Sequence, residues 1–162
     1  MIRRIIIHKY LIEEFKKQAI EALPNEFIVA LLGKIINDDL HISVFDSLEI
    51  LSAVNDKEYY YLNYSQPEEE MEAGTSLKFF GTLHSHPTGS TKPSEQDISD
   101  FLDKHNNEDY GDEEHEWEYL HDEIMGIMGI KKHRKVIQYG LVFYDIDMKP
   151  IEVIISEDRD DR

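Results

Sequence analysis

Hydrophobic residues recur along this chain with two different periods, which predict a mixture of strands and helices. Residues 9–23 have the period of a helix with one apolar face, which is formed by Ile12, Phe15, Ala19 and Leu23. Further helices are predicted at residues 67–73 and 94–104. Alternating or continuous apolar runs predict strands at residues 3–8, 26–36, 40–48, 58–64, 77–84, 124–130, 136–144 and 151–155. Because the two kinds of element do not alternate strictly, we expect an α/β or α+β domain with a mixed, largely antiparallel sheet.

The length of the chain predicts a single domain. The 162 residues are 41% hydrophobic, which is enough for a core that needs no disulfide or structural metal. We expect residues 1–156 to form this domain and residues 157–162 to be a flexible tail. The N-terminal apolar run Ile5–Ile7 is three residues long, which is shorter than the about 7–15 residues of a signal peptide, and no segment approaches the roughly 18 apolar residues of a membrane helix. We therefore expect a cytoplasmic protein.

The net charge of the chain limits the classes of partner that it is expected to bind. The formal net charge is −17, which weighs against a general nucleic-acid binder and against docking on an anionic membrane. Residues 103–123 hold ten of the acidic residues and one lysine, so much of the charge is local. The basic run at 131–135 lies between two apolar segments, and we expect it to be a solvated hairpin loop.

The candidate chemistry lies in residues 83–97. His84 and His86 are two positions apart on a predicted strand, so both imidazoles project from the same face. Pro87 ends that strand, and a loop then leads to Asp97 on the first turn of a helix. Since the chain has no cysteine, a metal must be held by His, Asp or Glu. Two imidazoles and one carboxylate leave a tetrahedral position for water, which is the arrangement of a catalytic zinc site.

Each part of this pattern also has a purely structural interpretation. A His-x-His pair on a strand is more often incidental than metal-binding, and Pro87 and Gly89 are ordinary turn residues. Ser94 and Asp97 have the spacing of a capping box at the start of a helix. The general base of a hydrolytic site could be any distant carboxylate. The metal-site interpretation therefore depends on the conjunction of these residues within fourteen positions.

The full pattern resembles the motif of the JAMM (JAB/MPN+) zinc metalloproteases, which is an upstream glutamate followed by His-x-His-x(7)-Ser-x(2)-Asp. The spacing of this motif is met by His84, His86, Ser94 and Asp97. Glu26 stands in the sequence Pro-Asn-Glu ahead of an apolar run that ends at Gly33, which is similar to the family's Pro-x-Glu context. The resemblance covers nearly the whole chain. It departs at Ile28-Val29, where many relatives have Cys-Gly, and at the acidic insertion 103–123.

The resemblance implies a cytidine-deaminase-like JAMM/MPN fold with helices flanking the sheet and one zinc ion per chain. It implies that His84, His86 and Asp97 are the zinc ligands. It also implies that Glu26 takes a proton from the zinc-bound water and later delivers it to the leaving amine. Ser94 would donate a hydrogen bond to the oxyanion.

The resemblance further implies the reaction and its partners. A relative of the deubiquitinases would act as an isopeptidase, hydrolysing the amide bond after the C-terminal glycine of a ubiquitin-like modifier. The expected partners are a small ubiquitin-like or sulfur-carrier-type protein, its conjugates and the conjugation enzymes of the same pathway. We hypothesise that the acidic insertion borders the substrate groove and favours a partner with a basic face. Two alternatives stay open: a zinc amidase acting on small peptides or small molecules, and an MPN scaffold that is non-catalytic or depends on a partner.

Overall fold

A computed structural model describes residues 2–47, 77–106 and 123–157 of the chain. These residues form seven strands and two helices, which in chain order are β1 (Arg4–His8), α1 (Lys9–Ala22), β2 (Ile28–Ile36), β3 (Asp39–Ser47), β4 (Lys78–His86), α2 (Glu95–Asn106), β5 (Ile124–His133), β6 (Val136–Tyr144) and β7 (Pro150–Ser156). The described strands close into a barrel in the order β1-β3-β2-β4-β5-β6-β7, with β7 returning to β1.

The pairing of these strands confirms the predicted mixed, largely antiparallel sheet. Three of the described strand pairs are parallel, namely β1–β3, β1–β7 and β4–β5, and the other four are antiparallel. The closure into a barrel was not predicted. It depends on the pairing of Arg4 in β1 with Glu152 in β7, near opposite ends of the chain, and no local pattern signals such a contact.

Helix α1 follows directly from its sequence. His8 caps its start, since the imidazole Nδ1 accepts a hydrogen bond from the backbone N–H of Tyr10 at 2.9 Å. The helix ends at Ala22, one residue before Leu23, as expected where Pro24 disfavours a helical conformation of the residue before it. Its predicted apolar face is buried in the main core, with Ile12, Phe15 and Ala19 at most 1% exposed.

Two hairpins differ in their ends from the predicted boundaries. The turn between β2 and β3 consists of Asn37 and Asp38, both with positive φ, so Asp39 of the predicted turn is instead the first residue of β3. Strand β5 continues past the predicted end at residue 130. The exposed basic run is therefore a loop only at Arg134 and Lys135, because its first three residues pair with β6.

Strand β4 is the element that positions the candidate site. It pairs with β2 on one side and β5 on the other. It ends at His86, two residues after the predicted end at residue 84 and directly before Pro87, which was expected to end it. The parallel connection to β5 includes α2, since parallel neighbours need a crossover.

Several predictions lie outside the described residues. These are the strand at 58–64, the helix at 67–73, most of the acidic insertion and residues 158–162 of the tail. The division into a domain at 1–156 and a tail at 157–162 stays a prediction. Neither described helix is long and apolar enough to cross a membrane.

Candidate metal centre

The two histidines of the motif lie at the buried end of β4. His84 and His86 are each 7% exposed, and their rings meet edge to face with their centroids 4.8 Å apart. The intervening Ser85 points to the opposite face, as strand alternation requires, and is also buried. The strand thus places both imidazoles on one side, which is what the spacing of the two residues predicts.

Asp97 reaches the histidines from the first turn of α2. The backbone N–H of Ser94 donates to Oδ2 of Asp97 at 2.9 Å, and the backbone N–H of Asp97 donates to Oγ of Ser94 at 3.0 Å. This reciprocal pair is a capping box with aspartate in the role usually taken by glutamate or glutamine. The structural interpretation of the Ser-x-x-Asp spacing is therefore correct. The same geometry turns the Asp97 carboxylate towards β4, so the capping role and a ligand role are compatible.

Three potential ligand atoms converge in a corner where the end of β4 meets the first turn of α2. Nε2 of His86 lies 3.0 Å from Nε2 of His84 and 3.0 Å from Oδ2 of Asp97, and Nε2 of His84 lies 3.4 Å from the same oxygen. Ligands bound to zinc at about 2.0–2.1 Å in a tetrahedron are separated by about 3.3–3.4 Å. The three atoms therefore have nearly the spacing of one face of a zinc coordination tetrahedron. Among the described residues they form the one group able to hold a metal.

The chemistry of these atoms also fits a cation. Nδ1 of His86 lies 3.1 Å from the carbonyl oxygen of Ser90, which can only accept a hydrogen bond, so this nitrogen carries the proton. In the neutral ring Nε2 of His86 is then an acceptor, and it faces a carboxylate oxygen. Two acceptors at that distance repel unless a proton or a metal ion lies between them. The Ser90 carbonyl is the kind of outer partner that fixes the tautomer of a metal-binding histidine.

The pKa shifts of His86 and Asp97 also indicate that this corner favours a positive charge. The pKa of the His86 imidazole is raised, chiefly by its hydrogen bond to Asp97, against the lowering effect of burial. Burial acts to raise the pKa of the Asp97 carboxyl, but the hydrogen bonds from His84 and His86 outweigh it and hold this pKa well below its usual range. The site therefore keeps the Asp97 carboxylate ionised beside the His86 imidazole, and a cation between them would stabilise both groups.

Glu26 lies just before β2, on a segment that is fixed to the histidine strand. The backbone N–H of Phe27 donates to Oγ of Ser85 at 2.8 Å, and the backbone N–H of Ser85 donates to the carbonyl oxygen of Phe27 at 2.9 Å. The negative charge of Glu26 contributes to the raised pKa of His86, after the larger effects of Asp97 and burial. Glu26 is partly buried. The structure thus brings it to the same end of the barrel as the histidines, while its role as a base stays a prediction.

Sequence reasoning missed two supporting groups. Ser85 has no role in the motif, but strand alternation places it on the face opposite to the two histidines, where its hydroxyl binds the backbone beside Glu26. The Ser90 carbonyl is a backbone group, and the sequence carries no signal for it beyond the turn residues around it.

Comparison with known proteins identifies the family. The family described as prokaryotic homologs of the JAB domain matches residues 8–110, which is more than half of the chain and includes all five motif residues. None of the curated proteins matches the chain.

The fold is similar to that of solved structures. A protein from Desulfitobacterium hafniense, solved in solution, superposes with a TM-score of 0.58 at 18% identity, covering 95% of this chain and 94% of that one. A JAB1/MPN domain protein from Archaeoglobus fulgidus gives a TM-score of 0.49 at 20% identity, covering 91% and 97%. A structure of JAMM, a metalloprotease-like zinc site in the proteasome and signalosome, gives a TM-score of 0.46 at 20% identity, covering 95% and 99%.

The family match and the described barrel agree with the resemblance that the motif suggested. The chain belongs to the prokaryotic JAB family, and it carries a His-His-Asp group suited to a metal at the end of β4.

Proposed function

We propose that the protein is a zinc-dependent isopeptidase that hydrolyses the amide bond after the C-terminal glycine of a ubiquitin-like modifier. The observation that carries this proposal is the convergence of two imidazole nitrogens and one carboxylate oxygen within 3.0–3.4 Å of one another. Membership of the prokaryotic JAB family supports a hydrolytic use of this centre. The expected partners are the modifier, its conjugates and the enzymes that form them.

The three ligands would be His84, His86 and Asp97. Zinc, when bound there, supplies a Lewis acid that polarises the scissile carbonyl and acidifies a water molecule. Three protein ligands leave a coordination position open, which distinguishes a catalytic centre from a closed structural one. The remaining steps require a base for the water and a donor for the carbonyl oxygen.

Glu26 is the proposed base. It accepts a proton from the attacking water, whose oxygen forms a bond to the carbonyl carbon. It then delivers this proton to the amine nitrogen as the C–N bond breaks. The products are an amine and a carboxylic acid, and the acid keeps the second proton of the water until it ionises in solvent. The hydrogen bonds between Phe27 and Ser85 hold the neighbouring backbone against β4, which limits the movement of Glu26 relative to the ligands.

Ser94 is the proposed donor to the carbonyl oxygen. Its Oγ accepts a hydrogen bond from the backbone N–H of Asp97, and this uses a lone pair and not the hydroxyl hydrogen. The hydroxyl can therefore cap α2 and still donate to the oxygen that becomes negative during the reaction. The loss of one such donor costs about 10²–10³ in turnover.

The substitution Glu26→Gln tests the proposal directly. It removes the base but none of the ligands, so we expect zinc content to be retained and turnover of a modifier conjugate to fall by about 10²–10⁴-fold. The matched control is Glu21→Gln, which makes the same change at an exposed position of α1. Elemental analysis gives the zinc content, and the release of free modifier gives the turnover.

Three outcomes would contradict the proposal in different ways. Full turnover in the Glu26 variant would show that another group is the base. Chelator-free protein that contains no divalent metal would remove the centre altogether. Cleavage of short peptides together with inert modifier conjugates would identify a small-peptide amidase instead.

A further inference from the structure

The loop after β4 rests on two glycines of the neighbouring hairpin. Gly129 in β5 and Gly140 in β6 are directly opposite each other. A Cβ on Gly129 would lie 2.2 Å from the carbonyl oxygen of Gly89 and 2.9 Å from the carbonyl carbon of Ser90. A Cβ on Gly140 would lie 3.0 Å from Cγ2 of Thr91. The loop therefore occupies the space that side chains of β5 and β6 would otherwise fill.

A tyrosine hydroxyl at the end of β6 also anchors this loop. Tyr144 Oη–H, at the end of β6, donates to the carbonyl oxygen of Thr91 at 2.8 Å. The ring of Tyr144 is buried in a small apolar cluster with Phe101, Met125 and Ile127, so the hydroxyl is held in place. The peptide that carries the Ser90 carbonyl thus lies between two fixed contacts. One is the close packing of Gly89 on Gly129, and the other is the hydrogen bond from Tyr144 to Thr91.

We propose that Gly129 and Tyr144 are positioning residues for the metal centre. They hold the Ser90 carbonyl 3.1 Å from Nδ1 of His86, and this hydrogen bond keeps the proton on Nδ1 and directs Nε2 towards the metal. The inference rests on the proposed function only in requiring that the centre binds zinc, and it is independent of the substrate.

The position of Gly129 explains why a side chain there would reach the metal centre. Gly129 is the register partner of His86 in the β4–β5 pair. Strand β5 is held by hydrogen bonds on both sides, from β4 and from β6, whereas the loop residues Thr88 and Ser90 are exposed. A methyl group at 129 would therefore displace the loop and not the strand. The Ser90 carbonyl would move with it.

The test compares three substitutions in the full-length protein. Gly129→Ala adds a methyl group that displaces the loop after β4. Tyr144→Phe removes only the hydroxyl that binds Thr91, and Gly33→Ala is the matched control. A Cβ on Gly33 would also lie 2.2 Å from a backbone carbonyl oxygen, that of His41, but this contact lies within the β2–β3 pair and not beside His84 or His86. The measured quantity is the Kd for zinc, obtained by competition with a chromogenic chelator.

We expect Gly129→Ala to weaken zinc binding by about 10–100-fold, the usual cost of losing an outer partner of a metal ligand. Tyr144→Phe should weaken it by about two- to tenfold, which corresponds to one hydrogen bond. Gly33→Ala should lower thermal stability and leave the zinc Kd unchanged. In the zinc-loaded protein, NMR should show faster solvent exchange of the His86 Nδ1 proton in Gly129→Ala and Tyr144→Phe than in the wild type.

Each result decides the proposal. Unchanged zinc affinity and proton exchange in both variants would overturn it, as would an equal loss of affinity in Gly33→Ala. If Gly129→Ala fails to fold, Tyr144→Phe alone decides. A wild-type protein that binds no zinc overturns both this inference and the proposed function. A wild type that binds zinc without cleaving conjugates overturns only the proposed function.

Discussion

Asp39 and Asp97 are both buried carboxylates, 6% and 8% exposed, but their surroundings are opposite in kind. Asp39 begins β3 and accepts two hydrogen bonds from the guanidinium of Arg3 and two from that of Arg4, at 2.7–3.3 Å. Asp97 lies in the first turn of α2 and faces the two imidazoles of β4, and it also accepts a hydrogen bond from the backbone N–H of Ser94. One carboxylate meets permanent cations, and the other meets groups that are neutral or charged according to conditions.

This difference separates a structural charge from a functional one. Arginine cannot lose its proton in a protein, so Asp39 is neutralised within the chain at any pH at which the protein folds. Its pKa is lowered to about 2, chiefly by the hydrogen bond from Arg4. Asp97 requires either protonated histidine or a metal ion to neutralise it. A buried carboxylate beside imidazoles therefore indicates ligand binding far more strongly than an equally buried carboxylate beside arginines.

The largest expected difference between the two carboxylates is in zinc affinity. Asp97→Asn removes a charged ligand, and we expect the zinc Kd to rise by more than about 100-fold, since even outer partners of ligands cost 10–100-fold. Asp39→Asn should leave the zinc Kd unchanged while it lowers thermal stability. Chelator competition on both variants measures this contrast. If Asp97→Asn bound zinc as tightly as the wild type does, Asp97 would be a helix cap only.

Removal of the metal should affect stability in a way that depends on Asp97 and not on Asp39. Free zinc at 100 times its Kd stabilises a folded protein by about 2.7 kcal/mol. For a chain of this size we expect the melting temperature to rise by roughly 5–10 °C, at 2–4 °C per kcal/mol. A chelator should reverse the rise. The rise should be absent in Asp97→Asn and present in Asp39→Asn. Equal rises in both variants would place the zinc elsewhere.

Local patterns predicted much of the fold, because the elements involved are determined by nearby residues. The face of α1 formed by Ile12, Phe15 and Ala19 is buried as its period predicts, and β4 ends where Pro87 requires. The barrel closure was beyond such patterns. It depends on contacts between β1 and β7, whose residues are far apart in the sequence. Strand β5 ran longer than predicted because a charged run can continue a hairpin where both of its faces are exposed.

The three candidate ligands were predictable because local patterns determine where they point. The backbone group that supports His86 was not predictable in this way. His84 and His86 share a face because a strand alternates, and Asp97 turns towards them because it completes a capping box with Ser94. The carbonyl of Ser90 depends instead on how the loop packs against Gly129, which lies in β5, the next described strand along the chain. Backbone groups carry no residue-type signal, so only the three-dimensional structure reveals them.

The two arginines that bind Asp39 should contribute unequally to the stability of the fold. The Arg4 side chain is 33% exposed and approaches Asp39 to 2.7 Å, whereas that of Arg3 is 61% exposed and approaches only to 3.3 Å. Solvent weakens the more exposed pair. We therefore expect Arg4→Gln to lower the melting temperature more than Arg3→Gln does, and neither change to alter zinc affinity. Equal melting temperatures for the two variants would show that the pairs are interchangeable.

The smallest expected effect is the pH dependence of the Asp39 contribution. Its folded-state pKa of about 2 lies below the ordinary value of 3.8, so the charged form is favoured by folding. This contribution is fully present above pH 3.8 and is lost as the pH falls through 2. Denaturant titrations of metal-free wild type and Asp39→Asn should show a constant difference in unfolding free energy above about pH 4 that narrows towards pH 2. Because Asp97 is common to both proteins, its own titration cancels. A difference that stays constant down to pH 2 would show that the arginines do not stabilise the ionised carboxylate.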